Sequence, residues 1–150
     1  MYKRQLDKLL IPVGGGGLIS GISFFAKTNG GIASTIIGAE PETARDATDS
    51  FYSKTHVTDY KPMTIADGLR ATLGVKNFEI ILKNVDEFIT ATESEIIEAM
   101  KIIWSRLKVI VEPSAAVPLA VILNKPEYFK NERVGVILSG GNLDLEDLPW

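Results

Sequence analysis

Two glycine-rich stretches give the clearest chemical signal in this sequence of 150 residues. Residues 14–17 are four consecutive glycines, placed between a short apolar run and a helix-compatible one. Glycine weakens regular structure, so a run of four indicates a ligand that approaches the backbone too closely for any Cβ atom. Free backbone N–H groups at the start of a helix suit a phosphate group. The alternative is a tight structural turn, although one or two glycines would have sufficed for that.

The second stretch is Ser139-Gly140-Gly141-Asn142, which follows another apolar run.

The glycine run at residues 14–17 matches neither standard nucleotide motif: no Gly-Lys-Ser/Thr follows it, and the dinucleotide fingerprint lacks its usual context. Glu40 does lie near the distance at which that fingerprint places an acidic residue. A phosphate- or nucleotide-binding module without catalysis therefore stays open as a second function.

Short apolar strands that alternate with helices must position these turns. The apolar runs predict strands over residues 9–13, 34–39, 85–90 and 134–138. Helical spacing and start signals predict helices over residues 18–27, 43–53, 77–83, 93–107 and 113–123. A T-x-x-E capping box at Thr92 opens the fourth of these helices. This alternation predicts an α/β fold, a mostly parallel sheet with helices on both faces, and places both turns at the ligand-binding edge.

Composition excludes several other classes of protein. The 16 Lys and Arg residues against 19 Asp and Glu give a net charge of -3, so no nucleic-acid partner is expected. Without cysteine, the chain forms neither disulfides nor thiolate metal sites. No apolar stretch reaches the roughly 18 residues that a membrane span needs. The first residues do not resemble a signal peptide, and we expect a cytoplasmic protein without a membrane partner.

Five motifs, VGGGGLISG, GAEPETARD, TIADGL, VEPSAA and LSGGN, stand in an order that resembles the fold-type-II (tryptophan-synthase-β-like) pyridoxal-phosphate enzymes. The similarity points to their serine racemase and serine/threonine dehydratase branch, and it implies most of the larger domain of such an enzyme. In this family the tetraglycine loop holds the cofactor phosphate, and the serine of the S-G-G-N turn faces the pyridine nitrogen. The resemblance therefore assigns pyridoxal 5'-phosphate to Gly14, Gly15, Gly16, Gly17, Leu18 and Ser139.

The same resemblance implies the reaction and the substrate. It implies β-elimination of L-serine or L-threonine to a 2-oxo acid and ammonia, serine racemisation, or both. A serine hydroxyl cannot hold the ring nitrogen protonated as a carboxylate would, so the ring withdraws electrons less strongly, which suits elimination. Judged from the residues alone, Ser139 could equally be a helix N-cap. The full-length enzyme is expected to act on a small amino acid and to form a homodimer.

Glu40 and Asp46 lie on either side of a predicted strand-to-helix turn. In the serine racemase branch the matching stretch binds a divalent cation, which the resemblance transfers to Glu40, the carbonyl of Ala44, and Asp46. Mg²⁺ and Ca²⁺ prefer such oxygen ligands. Alternatively, the two carboxylates only favour the helix start through its dipole, or Arg45 pairs with one of them.

Four further residues match less specific positions. Asp67 and Glu112 correspond to the family's substrate pocket, although Asp67 could equally be a cap or turn residue. Lys108 and Asn142 correspond to positions near an allosteric nucleotide site in some racemases. His56, the single histidine, is expected to be a solvated loop residue rather than a base.

The resemblance starts at residue 6 and assigns no catalytic residue to this chain. In the family, the Schiff-base lysine, the serine on its opposite face and the loop for the substrate carboxylate all lie in the N-terminal part. These groups are expected upstream, so the chain alone is expected to be inactive. Residues 1–5 belong to none of the five motifs, and the codons GTG TAT AAG AGA CAG would match a sequencing-library adapter. We therefore expect residues 1–5 to be a non-native leader and residues 6–150 to be the C-terminal part of the enzyme.

Overall fold

Four parallel strands form the central sheet in the computed structural model, which describes residues 5–28 and 33–150. Strand β1 (Leu6–Pro12) pairs with β2 (Ala33–Pro41) on one side and with β4 (Val134–Val136) on the other. Strand β3 (Glu87–Ala91) pairs with β2, which gives the order β3-β2-β1-β4. The sheet thus brings the first and last strands together. Residues 1–4 of the predicted leader lie outside the described residues.

Helices fill the connections between these strands. The helices are α1 (Gly17–Thr28), α2 (Asp46–Ser53), α3 (Val75–Asn84), α4 (Glu93–Ile102), α5 (Pro113–Asn124) and the single turn α6 (Pro126–Phe129). A short 3-10 helix covers Asp67–Leu69, and a π-helical turn covers Ile103–Leu107. Across the described part of the chain, no helix has both the length and the apolar character to span a membrane.

Alternation along the strands creates two apolar cores, one on each face of the sheet. Leu9 and Ile11 of β1 belong to the core that α1, α2 and α3 cover. Leu10 of β1 and Ile37 of β2 belong to the opposite core, which α4 and α5 cover. Both faces of the sheet are therefore buried, and the predicted α/β fold is confirmed.

Several element boundaries differ from the prediction for local reasons. Helix α2 begins at Asp46, because residues 41–44 form a turn in which the Ala44 N–H donates to the Pro41 carbonyl at 3.0 Å. The helix predicted over residues 93–107 does start with the capping box, since the Glu95 N–H donates to the Thr92 hydroxyl. Its last five residues are π-helical rather than α-helical. The last strand is shorter than predicted, and residue 138 lies outside it.

Candidate functional site

The tetraglycine loop and the S-G-G-N turn lie side by side, because they follow the adjacent parallel strands β1 and β4. A cavity of about 200 Å³ lies between them at the carboxyl end of the sheet. Its lining consists of Pro12, Gly14, Gly15, Gly16, Gly17, Leu18, Gly68, Leu69 and Ser139. All six residues predicted to contact the cofactor therefore surround one cavity.

The backbone of the glycine loop presents donors rather than acceptors on its open side. The Gly15 carbonyl accepts from the Gly74 N–H at 3.1 Å, and the Gly16 carbonyl accepts from the Ser20 N–H at 3.0 Å. In a trans peptide the C=O and the next N–H point in opposite directions, so the N–H groups of Gly16 and Gly17 point away from these partners. In residues 5–28 and 33–150, neither they nor the Leu18 N–H find a protein acceptor. Such unpaired donors at a helix N-terminus suit an anionic group.

Packing explains some of the glycines but not all of them. A Cβ on Gly14 would lie 3.0 Å from the Leu69 backbone. Gly16 has a positive φ of 83°, and a Cβ there would lie 2.5 Å from a neighbouring side chain. By contrast, a Cβ on Gly15 would make only ordinary contacts, the nearest at 3.7 Å, and one on Gly17 would meet nothing within 4 Å. The tight-turn alternative therefore accounts for two of the four glycines, and the other two fit a ligand close to the backbone.

Ser139 lies exposed at the opposite wall of the cavity. The N-cap interpretation of this serine is wrong, because residues 140–144 form no helix. Glu112 holds the turn that carries the serine. Its N–H donates to the Gly140 carbonyl, and its Oε2 accepts from the Asn142 N–H, both at 3.2 Å. A Cβ on Gly140 would lie 2.5 Å from Glu112 Oε1, so a larger residue there would displace this carboxylate.

Asp67 lies next to the cavity rather than in its wall. Its Oδ1 accepts from the Gly68 N–H at 2.9 Å, a contact typical of a turn residue. The same N–H donates to the Ser114 hydroxyl at 3.0 Å, which links this segment to the start of α5. The Asp67 side chain borders a separate cavity of about 310 Å³ that Asn142 also lines. Asp67 and Glu112 therefore both lie close to Gly68, which lines the glycine cavity.

Glu40 and Asp46 are both buried at the start of α2, and both already accept hydrogen bonds. Glu40 Oε2 accepts from the Thr48 N–H at 2.7 Å and from the Thr48 hydroxyl at 2.6 Å. Asp46 Oδ2 accepts from the Leu73 N–H at 2.7 Å. The Glu40 contacts are those expected of a carboxylate that stabilises a helix start, whereas the Asp46 contact links α2 to the segment before α3. Arg45 pairs with Asp49 at 3.4 Å, so the predicted alternative that it pairs with Glu40 or Asp46 is wrong.

The charge on this pair of carboxylates is only partly compensated, by the nearby His56, which lowers the pKa of Asp46. The pKa of Glu40 is raised to about 8, mainly by burial; hydrogen bonds from Thr48 oppose this shift, and the nearby Asp46 contributes to it. Burial likewise raises the pKa of Asp46. Within the described part of the chain, no Lys or Arg side chain pairs with either group, and no cluster of three or more His, Asp or Glu residues forms. The two carboxylates and the backbone carbonyl of the buried residue Ala44 nevertheless offer oxygen ligands of the kind that a hard cation prefers.

His56 is not the freely solvated residue that the sequence predicted. It is half-buried, its Nε2 lies 2.6 Å from the Leu73 carbonyl oxygen, and its ring stacks on Phe78 with centroids 5.3 Å apart. The two other weak assignments are less informative: Lys108 is exposed at the end of the π-helical turn, and Asn142 follows the serine turn.

Sequence reasoning missed a segment that supports the glycine loop. The Asn77 side-chain amide donates to the Gly15 carbonyl at 2.6 Å, beside the bond from the Gly74 N–H. A glycine placed directly before a helix, followed by a polar residue in its first turn, is a weak signal. Only the fold shows that this helix start lies against the loop.

Comparisons with known proteins agree with this geometry. The family model described as "Pyridoxal-phosphate dependent enzyme" matches residues 1–140. The beta-hydroxyaspartate dehydratase of Paracoccus denitrificans is 46% identical over 145 residues, and the serine racemase of Dictyostelium discoideum is 46% identical over 151 residues. Each match covers 97% of this chain and 46% of the relative. The crystal structure of the Dictyostelium racemase has a TM-score of 0.85 and 44% identity, covering 95% of this chain and 46% of that one. The chain spans about half the length of the curated relatives it matches.

Proposed function

The chain belongs to the family of pyridoxal-phosphate-dependent enzymes, and we propose that the full-length protein acts on small β-hydroxy amino acids. The proposed reactions are elimination of water from L-serine or L-threonine, which yields a 2-oxo acid and ammonia, and racemisation of serine. The observation that supports this most is the single cavity lined by the tetraglycine loop and Ser139, with unpaired backbone donors on the loop.

The residues around the cavity fit the two ends of pyridoxal phosphate. The N–H groups of Gly16, Gly17 and Leu18 would hold the phosphate, with the dipole of α1 behind them. The Ser139 hydroxyl would donate a hydrogen bond to the pyridine nitrogen from the opposite wall. When bound, the cofactor withdraws electrons from the substrate Cα, so that its proton can leave. A neutral hydroxyl at this position favours the neutral pyridine nitrogen over its protonated form, which favours elimination over a long-lived carbanion.

The names of the relatives support the substrate class. Serine racemase and beta-hydroxyaspartate dehydratase are both named for amino acids with a β-hydroxyl group. In this chain, Asp67 and Glu112 both lie close to Gly68 and would form the substrate side of the pocket. The carboxylates of Asp67 and Glu112 would bind polar groups of a small substrate. They would repel an acidic group of the substrate that lies close to them.

We also propose that Mg²⁺ or Ca²⁺ binds Glu40, the Ala44 carbonyl and Asp46. Two buried carboxylates with raised pKa values need either protons or a cation, and the described part of the chain supplies no Lys or Arg partner for them. The helix-start contacts use only some of their lone pairs, because each carboxylate oxygen accepts from more than one direction. We further propose a homodimer, from the family resemblance, and a cytoplasmic location, from the composition of the chain.

The test uses the full-length protein with pyridoxal phosphate and L-serine. We expect visible absorbance from the bound cofactor, together with release of pyruvate. Ser139→Ala should lower the release of pyruvate, whereas Ser53→Ala, at an exposed serine of α2, should not change it. A protein that stays colourless and instead binds an adenine or nicotinamide nucleotide would support the nucleotide-binding alternative.

A further inference from the structure

The Gly15 carbonyl is held by two donors from the same neighbouring segment. The Gly74 N–H donates to it at 3.1 Å, and Asn77 Nδ2 donates to it at 2.6 Å. Asn77 is in the first turn of α3 and is half-buried. The first turn is itself closed by the Phe78 N–H, which donates to the Gly74 carbonyl at 2.9 Å. The Asn77 amide is therefore presented by a helix rather than by a free loop.

The next residue of the glycine loop rests on the same helix start. A Cβ on Gly16 would lie 2.9 Å from the Asn77 Cβ and 2.5 Å from the Leu73 side chain. The φ of 83° at this glycine turns the chain directly after the held carbonyl. Asn77 thus contacts the loop twice, through a hydrogen bond to one glycine and through packing against the next.

These contacts orient a peptide plane. Because the Gly15 C=O points toward Asn77 and Gly74, the Gly16 N–H of the same peptide points away from them. Release of this carbonyl would let the plane rotate, since two glycines flank the bond and neither has a Cβ to restrict rotation. The loop would then present a carbonyl, rather than an N–H, to an anion in the cavity.

We propose that Asn77 is a positioning residue, which holds the glycine loop so that the Gly16 N–H faces the cofactor phosphate. The inference rests on the proposed function, because it needs a phosphate in this cavity. It assigns a role to a side chain that does not itself line the cavity. The role concerns phosphate recognition, and it leaves the contacts of the pyridine ring unchanged.

The experiment measures phosphate selectivity in the full-length apoprotein. The dissociation constants of pyridoxal phosphate and of pyridoxal are measured for the wild type, Asn77→Ala and Asn77→Leu. Asn84→Ala is the matched control, because Asn84 is a half-buried residue of the same helix whose amide donates to the Ile80 carbonyl at 2.9 Å. Asn77→Leu removes the donor but keeps the side-chain volume, so it tests the proposal if Asn77→Ala folds poorly.

We expect both Asn77 variants to weaken pyridoxal phosphate binding about tenfold, the order of effect for the loss of one hydrogen bond from a carbonyl that keeps its second donor, the Gly74 N–H. Pyridoxal binding should change less than twofold in these variants, and the Asn84 control should keep both constants. A wild type that prefers pyridoxal phosphate, with Asn77 variants that keep this preference, would overturn the positioning role alone. A wild type without any preference for the phosphate form would overturn the proposed function as well.

Discussion

Substitution of Gly16 by alanine tests why the loop contains a glycine at its tightest point. Alanine would have to adopt a φ of 83°, which costs about 1–2 kcal/mol for a residue with a Cβ. Its Cβ would also lie 2.5 Å from the Leu73 side chain, and overpacking of this kind costs about 1–3 kcal/mol. Together these terms predict a loss of about 2–5 kcal/mol in the free energy of unfolding.

Gly17 provides the matched control one residue further along. A Cβ there would meet nothing within 4 Å, and the residue begins α1. Gly17→Ala should therefore leave stability unchanged or raise it by up to about 1 kcal/mol, since alanine restricts the unfolded chain. If a ligand approaches this backbone, the same substitution should weaken the binding of pyridoxal phosphate.

The assay follows urea unfolding of both variants of the full-length protein without cofactor, and then titrates each with pyridoxal phosphate. The expected pattern is a loss of stability for Gly16→Ala and a loss of affinity without a loss of stability for Gly17→Ala. Equal stabilities of the two variants would refute the packing argument. Unchanged affinity in Gly17→Ala would refute the close approach of a ligand to this residue.

Three other predictions concern a cation, pH and the isolated chain. Mg²⁺ or Ca²⁺ should raise the melting temperature of the full-length protein by mass action, and Asp46→Asn should remove most of that gain. Equal shifts of the melting temperature in the wild type and in Asp46→Asn would leave Glu40 and Asp46 with only a structural role. The hydrogen bonds from Arg133 lower the pKa of Asp7 from 3.8 to about 2. The stability this contact adds is present above pH 3.8 and is lost as pH falls through 2, so Asp7→Asn should make acid unfolding less steep, and an unchanged profile would contradict this. Residues 1–150 alone should release no pyruvate from L-serine with pyridoxal phosphate. The lysine that would hold the cofactor and move the Cα proton is expected upstream of them, as the resemblance implies. Turnover of L-serine by residues 1–150 would show that this placement of the lysine is wrong.

The strands were predictable because the sheet is buried on both faces. The run that forms β1 is apolar at consecutive positions, since Leu9 contacts one core and Leu10 the other. The start of α4 was equally predictable, because the capping box is a local signal that depends on Thr92 and Glu95 alone. The start of α2 was harder to predict. It lies after a turn at residues 41–44, and that turn depends on the backbone geometry of these residues.

The pairing of distant segments limits what the sequence can predict about the site. The apolar runs predict both glycine-rich turns at strand ends, but nothing in the sequence indicates that β1 and β4 are neighbours in the sheet. The supporting contact from Asn77 to Gly15 depends on how α3 packs against α1, and no spacing rule predicts it. The sequence predicts a solvated His56, and this is wrong for the same reason. Its hydrogen-bond partner, the Leu73 carbonyl, becomes a neighbour only in the folded chain.

The pairing of β1 with β4 sets an order of events during synthesis of the protein. The glycine loop leaves the ribosome first, and the serine turn on the opposite wall of the cavity follows only after Ser139 has been added. At typical elongation rates of about 5–20 residues per second, this interval lasts roughly 6–25 s. During that time the edge of β1 has no partner from β4, and the cavity lacks the part of its lining that Ser139 supplies. A nascent chain should therefore complete the cofactor cavity only near the end of its synthesis.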